Sequence, residues 1–238
     1  MSLFRDLLAV FNPRFGQYAR YRHAPGKLHE AFRILADDLG LLRSMKTGLP
    51  ADGSGAPVPW FAYPAIDYLN QFNLKGKRVF EYGSGQSTRY WARRGASVWS
   101  AEHDEAWYSK LSSNAPPGCT LYFGGDQDSY VNAIALAGVK FDIVVIDGIL
   151  RDACVDPAIA HLAPNGFIIL DNADRDWPVG KMLRERGFFE VDFSGFGPIN
   201  DYVTTTAIFL PPGGISQTPD FQPPRPVGHH HDNVYGDQ

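Results

Sequence analysis

The sequence predicts an α/β fold, a doubly wound and mostly parallel sheet, on three observations. Strand-like apolar runs alternate with helix-like stretches from about residue 73 to 210. The run Ile143-Val144-Val145-Ile146 is continuous and β-branched, apolar on both faces as a strand covered by helices must be. A glycine-containing turn, Gly83-Ser84-Gly85, carries the first strand of this region into a helix.

The elements follow in order. Residues 1–59 read as an N-terminal helical extension and loop. Leu28, Ala31, Phe32, Leu35, Leu39 and Leu42 recur at helical spacing and predict one helix over Lys27–Lys46, with Pro25-Gly26 before it and Gly48 after it. Residues 50–59 carry three prolines and two glycines and read as a loop. A short helix is expected from about Pro64 to Phe72. Residues 60–210 form the α/β domain. Strands are expected at 78–82, 97–101, 120–123, 141–147 and 166–170. The helices between them fall at 87–94, 105–112, 129–137 and 152–162. Phe188–Phe193 and Tyr202–Leu210 are strand-like with a non-helical loop between, which predicts two neighbouring antiparallel strands at one sheet edge. Residues 211–238 are rich in Pro, Gly, Gln and Asp and read as a mobile tail, His229-His230-His231 included.

Composition narrows the classes of function. The 238 residues are 44% apolar and 20% charged, with a formal net charge of −4; this is ordinary globular composition with enough chain for a sizeable core. No run of Lys and Arg forms a stripe, so electrostatics do not suggest a nucleic-acid partner. No apolar run reaches the roughly 18 residues of a membrane span. The start, Met1-Ser2-Leu3-Phe4-Arg5-Asp6, lacks the pattern of a signal peptide, and a cytoplasmic location is expected. Cys119 and Cys154 are far apart, form no metal-ligand spacing and read as free thiols.

Five constellations carry chemistry. In the first, Glu81 ends a strand and Gly83, Ser84, Gly85 and Ser87 lead into a helix, whose N-terminus offers unpaired N–H groups and a partial positive charge. A carboxylate at that strand end repels a pyrophosphate. It suits a ligand with an ammonium and no phosphate, such as S-adenosylmethionine. In the second, Glu102 follows the next strand about 20 residues later, where a Rossmann-type sheet sets an acid on ribose hydroxyls. His103 beside it is expected to border the adenine, and Asp104 to cap the next helix. In the third, Asp126 follows the third strand and is a candidate acceptor for the adenine amino group. The fourth is Asp147, at the end of the most buried strand and facing the reacting end of the cleft. The fifth is Asp171-Asn172 at the next strand end. Asp147, Asp171 and Asn172 converge as oxygen donors of the kind that hold Mg²⁺.

Together these residues resemble the class I S-adenosylmethionine-dependent methyltransferases, in particular a bacterial subgroup of methyltransferase-domain proteins. The resemblance spans about Trp60 to Leu210. It rests on Glu81-Tyr82-Gly83-Ser84-Gly85-Gln86-Ser87-Thr88, Glu102-His103-Asp104, Ile146-Asp147-Gly148-Ile149-Leu150-Arg151, Leu170-Asp171-Asn172-Ala173-Asp174-Arg175 and the late segments 195–198 and 204–209. It implies a seven-stranded sheet whose last strand runs antiparallel. It implies S-adenosylmethionine as cofactor and a small-molecule acceptor, with a hydroxyl as the expected methylated group. Asp147, Asp171 and Asn172 are similar to the metal ligands of the catechol-type O-methyltransferases. That family carries a lysine base shortly after the first aspartate; here Gly148, Ile149 and Leu150 follow, and then Arg151. For removal of a hydroxyl proton the candidates are Asp147 or a metal-bound alkoxide, with His103 a weaker one. Trp60, Tyr63 and the loop before them, together with Trp177 and Phe196, are candidate walls for the acceptor, and His161 is expected to be structural. Two other readings stand beside this one: a cofactor-binding protein of the same fold without methyl transfer, and a nicotinamide-dependent oxidoreductase. The second is opposed by Thr88 at the third glycine position of GxGxxG and by Glu81.

Overall fold

The computed structural model describes residues 24–212. The expectations for the first residues and for most of the tail lie outside that span.

Seven strands form one sheet: β1 (Arg78–Tyr82), β2 (Ser97–Glu102), β3 (Cys119–Phe123), β4 (Phe141–Ile146), β5 (Leu162–Leu170), β6 (Phe189–Phe196) and β7 (Val203–Leu210). Their order is β3-β2-β1-β4-β5-β7-β6. Strands β1 to β5 pair in parallel, and β7 runs antiparallel to both β5 and β6. This is the seven-stranded, mostly parallel sheet with an antiparallel last strand that the resemblance implied. The antiparallel pair of late strands also occurs as expected, with β6 at the edge.

Side chains alternate across the sheet and feed two cores. Phe80, Tyr82, Val144, Ile146, Ile168, Leu170 and Phe209 pack on one face. Val79, Val98, Ile143, Val145, Ile169 and Ile208 pack on the other with Trp91 and Phe61. Period-two alternation with both faces apolar is what a doubly covered sheet requires.

The helices are α1 (Ala24–Arg33), α2 (Leu41–Thr47), α3 (Tyr63–Asn70), α4 (Gln86–Arg93), α5 (Glu105–Ser112), α6 (Gln127–Val131), α7 (Ala133–Leu136), α8 (Val155–His161) and α9 (Trp177–Glu185). Three differ from expectation. The single N-terminal helix is broken. A π-helical turn, Ile34–Asp38, follows α1, and Gly40 then turns left-handed at φ 80° before α2. A Cβ on Gly40 would run into the Ala51 carbonyl, so the break is built by close backbone approach as well as by φ. The stripe splits with it: Leu35 and Leu39 pack on the second core, while Phe32 is 66% exposed. The helix expected over 129–137 is interrupted at Asn132. Helix α9, with Pro178 in its first turn, supplies the crossover between β5 and β6 that the sequence reading left without a helix.

The segment before α3 is bolted down by polar bonds. The Ser44 hydroxyl, fully buried, donates to the Ala51 carbonyl (2.9 Å) and accepts from the Ala51 N–H (3.0 Å). Ala51 bridges Pro57, the Trp60 indole N–H donates to Asn200 Oδ1 (3.0 Å), and the Ala62 N–H donates to the Thr206 hydroxyl (3.0 Å). These bonds set residues 48–60 beside the C-terminal edge of the sheet.

Candidate active site

The sheet order reverses between β1 and β4, and open α/β sheets bind ligands in the crevice outside such a point. A cavity of about 320 Å³ lies there. It is lined by the turn after β1 (Gly83 to Ser87), by Glu102, His103 and Trp107, by Asp147 and Gly148 after β4, and by Gly48 to Pro50 and Trp60 from the N-terminal segment.

Gly83 makes the crevice. Its φ is 96°, and a Cβ there would press on the Asp147–Gly148 backbone at 3.3–3.4 Å. Gly148 answers from the other side: a Cβ on it would collide with the Tyr130 hydroxyl and come within 3.0 Å of the Gly83 nitrogen. Gly85 differs. Nothing lies within 4 Å of where its Cβ would be, so it leaves open room at the cavity wall. That room is what a ligand lying on the backbone would fill.

Glu102 is the acid that faces this room. Its Oε2 accepts from the Ser84 hydroxyl (2.7 Å), and its Oε1 from the N–H groups of His103 (2.9 Å) and Asp104 (3.0 Å). Oε2 keeps a lone pair, and the Ser84 hydroxyl is free to rotate. His103 Nδ1 stands 3.2 Å from Glu102 Oε1, and its ring lies edge-on to Tyr130. Asp104 caps α5 as expected, accepting from the Trp107 N–H (2.7 Å). One turn into that helix, the Trp107 indole N–H donates to the Ser84 carbonyl (2.9 Å). The sequence reading missed Trp107, Gly48 and Leu49, and named Gly148 only as the neighbour of Asp147. The signal for Trp107 was its place three residues after the cap, on the turn that faces the crevice.

Two expected cofactor contacts are corrected. Glu81 lies with Val79 on the face of β1 covered by α4 and is 1% exposed. Its Oε2 accepts from the Thr88 hydroxyl (2.6 Å) and its Oε1 from the Trp91 indole (2.9 Å). Thr88 also receives the Gly85 N–H at 3.1 Å. The carboxyl thus ties strand, turn and helix together from below and offers nothing to an ammonium in the cavity. Burial pushes its pKa up to about 7, against the lowering effect of the Thr88, Ser87 and Trp91 bonds. Asp126 is exposed, lies outside the cavity wall and caps α6 through the Ser129 N–H (2.9 Å). That same bond, with the Ser129 hydroxyl, lowers its pKa.

Asp147 sits at the mouth, partly buried, at the end of β4. Burial raises its pKa well above the usual carboxylate range; the Asp171 charge adds to the rise and Arg151 opposes it. Asp171 and Asn172 lie behind it, outside the cavity wall. Asp171 Oδ1 accepts from the Thr206 hydroxyl (2.5 Å) and Oδ2 from Asn172 Nδ2 (2.8 Å). Burial pushes Asp171 up to about 6, with Thr206, Arg151 and the Asn172 backbone acting the other way. Of the three expected metal ligands, Asp147 and Asn172 meet on one guanidinium while the Asp171 carboxylate is spent on Thr206 and Asn172, and among the described residues no group of three or more Asp, Glu, His or Cys is placed to hold a metal ion. The Arg151 guanidinium bonds Asp147 Oδ1 (3.2 Å) and Asn172 Oδ1 (3.4 Å). The donors as arranged do not fit a divalent cation.

Of the expected acceptor walls, Trp60 lines the cavity and is 45% exposed. Tyr63 instead lines a separate cavity beside Arg93 and Arg94, and neither Trp177 nor Phe196 lines the crevice. His161 is structural, its Nδ1 2.9 Å from the Pro157 carbonyl oxygen. Both cysteines are free. Among the described residues no helix is long and apolar enough to cross a membrane.

No family model matches the sequence, and no curated protein does. Solved structures do. Precorrin-8W decarboxylase of Methanobacterium thermoautotrophicum is 18% identical over 69% of this chain and 97% of its own, with a TM-score of 0.47. Precorrin-6y C5,15-methyltransferase of Geobacter metallireducens is 12% identical over 62% and 88%, at 0.48. Magnesium protoporphyrin IX methyltransferase of Synechocystis PCC 6803 with bound S-adenosylmethionine is 18% identical over 61% and 75%, at 0.46.

Proposed function

We propose that this chain is an S-adenosylmethionine-dependent methyltransferase acting on a hydroxyl of a small, partly apolar molecule. One observation carries the reading. The crevice at the β1/β4 reversal sets a bare glycine turn and the Glu102 carboxyl on one cavity, with no lysine or arginine in its wall to receive a pyrophosphate. Glu102 and the Ser84 hydroxyl would take the ribose hydroxyls, His103 and Trp107 would border the base, and the turn at Gly83–Gly85 would carry the amino-acid end. S-adenosylmethionine supplies a methyl group already activated on a sulfonium. The protein's part is then to align the acceptor, exclude water and take a proton. Trp60 and Leu49 give the acceptor an apolar wall. Asp147, with its basicity raised by burial, accepts the hydroxyl proton.

Isothermal titration tests the binding half. S-adenosylmethionine and S-adenosylhomocysteine are expected to bind and NAD not to. Glu102→Ala removes two charge-assisted bonds and should weaken binding by at least tenfold. In the catalytic half, release of S-adenosylhomocysteine on a panel of hydroxyl acceptors should fall on the order of a hundredfold or more in Asp147→Asn. A chain that ignores the nucleoside, or whose affinity survives Glu102→Ala, ends the proposal.

A further inference from the structure

Behind the cavity, two carboxylates, an amide and three backbone carbonyls close on one guanidinium. Arg151 Nε donates to the Gly148 carbonyl (2.9 Å). Its Nη1 donates to the Asp171 carbonyl and to Asp176 Oδ2 (2.8 Å). Its Nη2 reaches the Asp147 carbonyl (3.3 Å), Asp147 Oδ1 (3.2 Å) and Asn172 Oδ1 (3.4 Å). The five N–H donors of an arginine are thereby spent on oxygens that follow β4 and β5 and on Asp176 at the start of α9, and the side chain is 15% exposed. The chain bends to allow this. Leu150 and Asn172, on either side of the cluster, both stand in the left-handed region, at φ 50° and 52°. For a leucine that conformation is costly, and the surrounding bonds offset it.

We infer that Arg151 occupies the place of a divalent cation in this chain and acts as the positioning residue for Asp147, so that the site works without a metal. A divalent ion at these strand ends would need the oxygens of Asp147 and Asn172 that Arg151 already holds, plus several more. A guanidinium delivers the same bridging charge permanently, because it does not lose its proton. It differs in one respect. With no donor left over, it cannot grip an acceptor oxygen as a metal does, so it fixes one oxygen of Asp147 and leaves the proton to that carboxylate alone. The role given to Asp147 rests on the proposed function; the exclusion of the cation does not.

Manganese binding to the full, cofactor-free chain tests this, read by the loss of free Mn²⁺ signal in electron paramagnetic resonance. The wild type is expected to show no Mn²⁺ binding that Asp147→Asn abolishes; that control separates the site from ions held by the tail histidines. Arg151→Ala frees the oxygens and should gain such binding, at least tenfold tighter than wild type, lost again in Arg151→Ala/Asp147→Asn. Arg151→Lys keeps a cation in place and should gain none. A purely structural arginine would leave every one of these readings unmoved. Wild-type binding that depends on Asp147 overturns the inference, as does a folded Arg151→Ala that gains nothing. If Arg151→Ala does not fold, the wild type and Arg151→Lys decide. No cofactor enters the measurement, so failure of the methyltransferase reading would show in the titrations above and not here.

Discussion

Single atoms decide the shape of the crevice. Gly83 and Gly148 face each other across the β1/β4 reversal, and each is held without a side chain for its own reason. Gly83 needs its positive φ; Gly148 needs the space taken by the Tyr130 hydroxyl. That hydroxyl is buried and points at the Gly148 position. Gly148→Ala should therefore destabilise the fold by about 1–3 kcal/mol through overpacking and push the Gly83 turn out of register with the ligand. Pairing it with Tyr130→Phe, which removes the colliding oxygen, should restore part of the loss. Thermal melts and S-adenosylhomocysteine titration of the single and double variants check both effects. Additive losses would show that the collision is not the cause. Residue chemistry was only partly legible from the sequence. The position of Glu102 could be read, because the spacing from a glycine turn to the next strand end follows from sheet geometry. The role of Glu81 could not. A strand alternates its side chains, and residue type alone does not tell which face looks into a crevice and which under a helix.

Elements explain why the N-terminal extension belongs to the site. The segment that follows it, which carries Trp60, is tied to β7 by a short polar chain, from the Ala62 N–H to the Thr206 hydroxyl and from that hydroxyl to Asp171 Oδ1. Thr206 and Ala62 are fully buried, so no water replaces a lost partner. Thr206→Val keeps the shape and removes both bonds. It should cost about 1–3 kcal/mol, the desolvation penalty of groups left unsatisfied. Urea unfolding measures the cost, and weaker ligand binding should accompany it, since Trp60 and Pro50 ride on the same segment. A cost near zero would mean that this seam does not hold the extension in place. Strands and most helices could be placed from apolar runs and breakers. The break at Gly40 and helix α9 could not. The first depends on a contact with Ala51, distant in the chain, and the second begins at Trp177-Pro178, where a proline hides the helical pattern that follows.

At the scale of the molecule, the buried acids set a direction for pH. Glu81, Asp147 and Asp171 all have folded pKa values raised by burial, Glu81 to about 7 and Asp171 to about 6. In the unfolded chain such acids ionise near their ordinary values, 4.5 for Glu and 3.8 for Asp. Between pH 4.5 and 7 the folded protein therefore holds a proton on Glu81 that the unfolded chain has released. Stability falls wherever the native state binds more protons. The contribution of Glu81 is full below pH 4.5, declines as pH rises to about 7 and is level beyond it; Asp171 declines in the same sense up to about 6. A rise of this size on Glu81 corresponds to roughly 3 kcal/mol across the window. Glu81→Gln copies the protonated form, since its carbonyl can accept from Trp91 and its amide can donate to Thr88. The variant should match the wild type near pH 4.5 and exceed it at pH 8, with a flatter profile between. Chemical unfolding at half-unit pH steps gives the comparison. A wild type that gains stability from pH 5 to 7, or a Gln variant with the same slope, would place the charge on Glu81 in the folded state and leave the turn held by a buried carboxylate instead of a neutral acid.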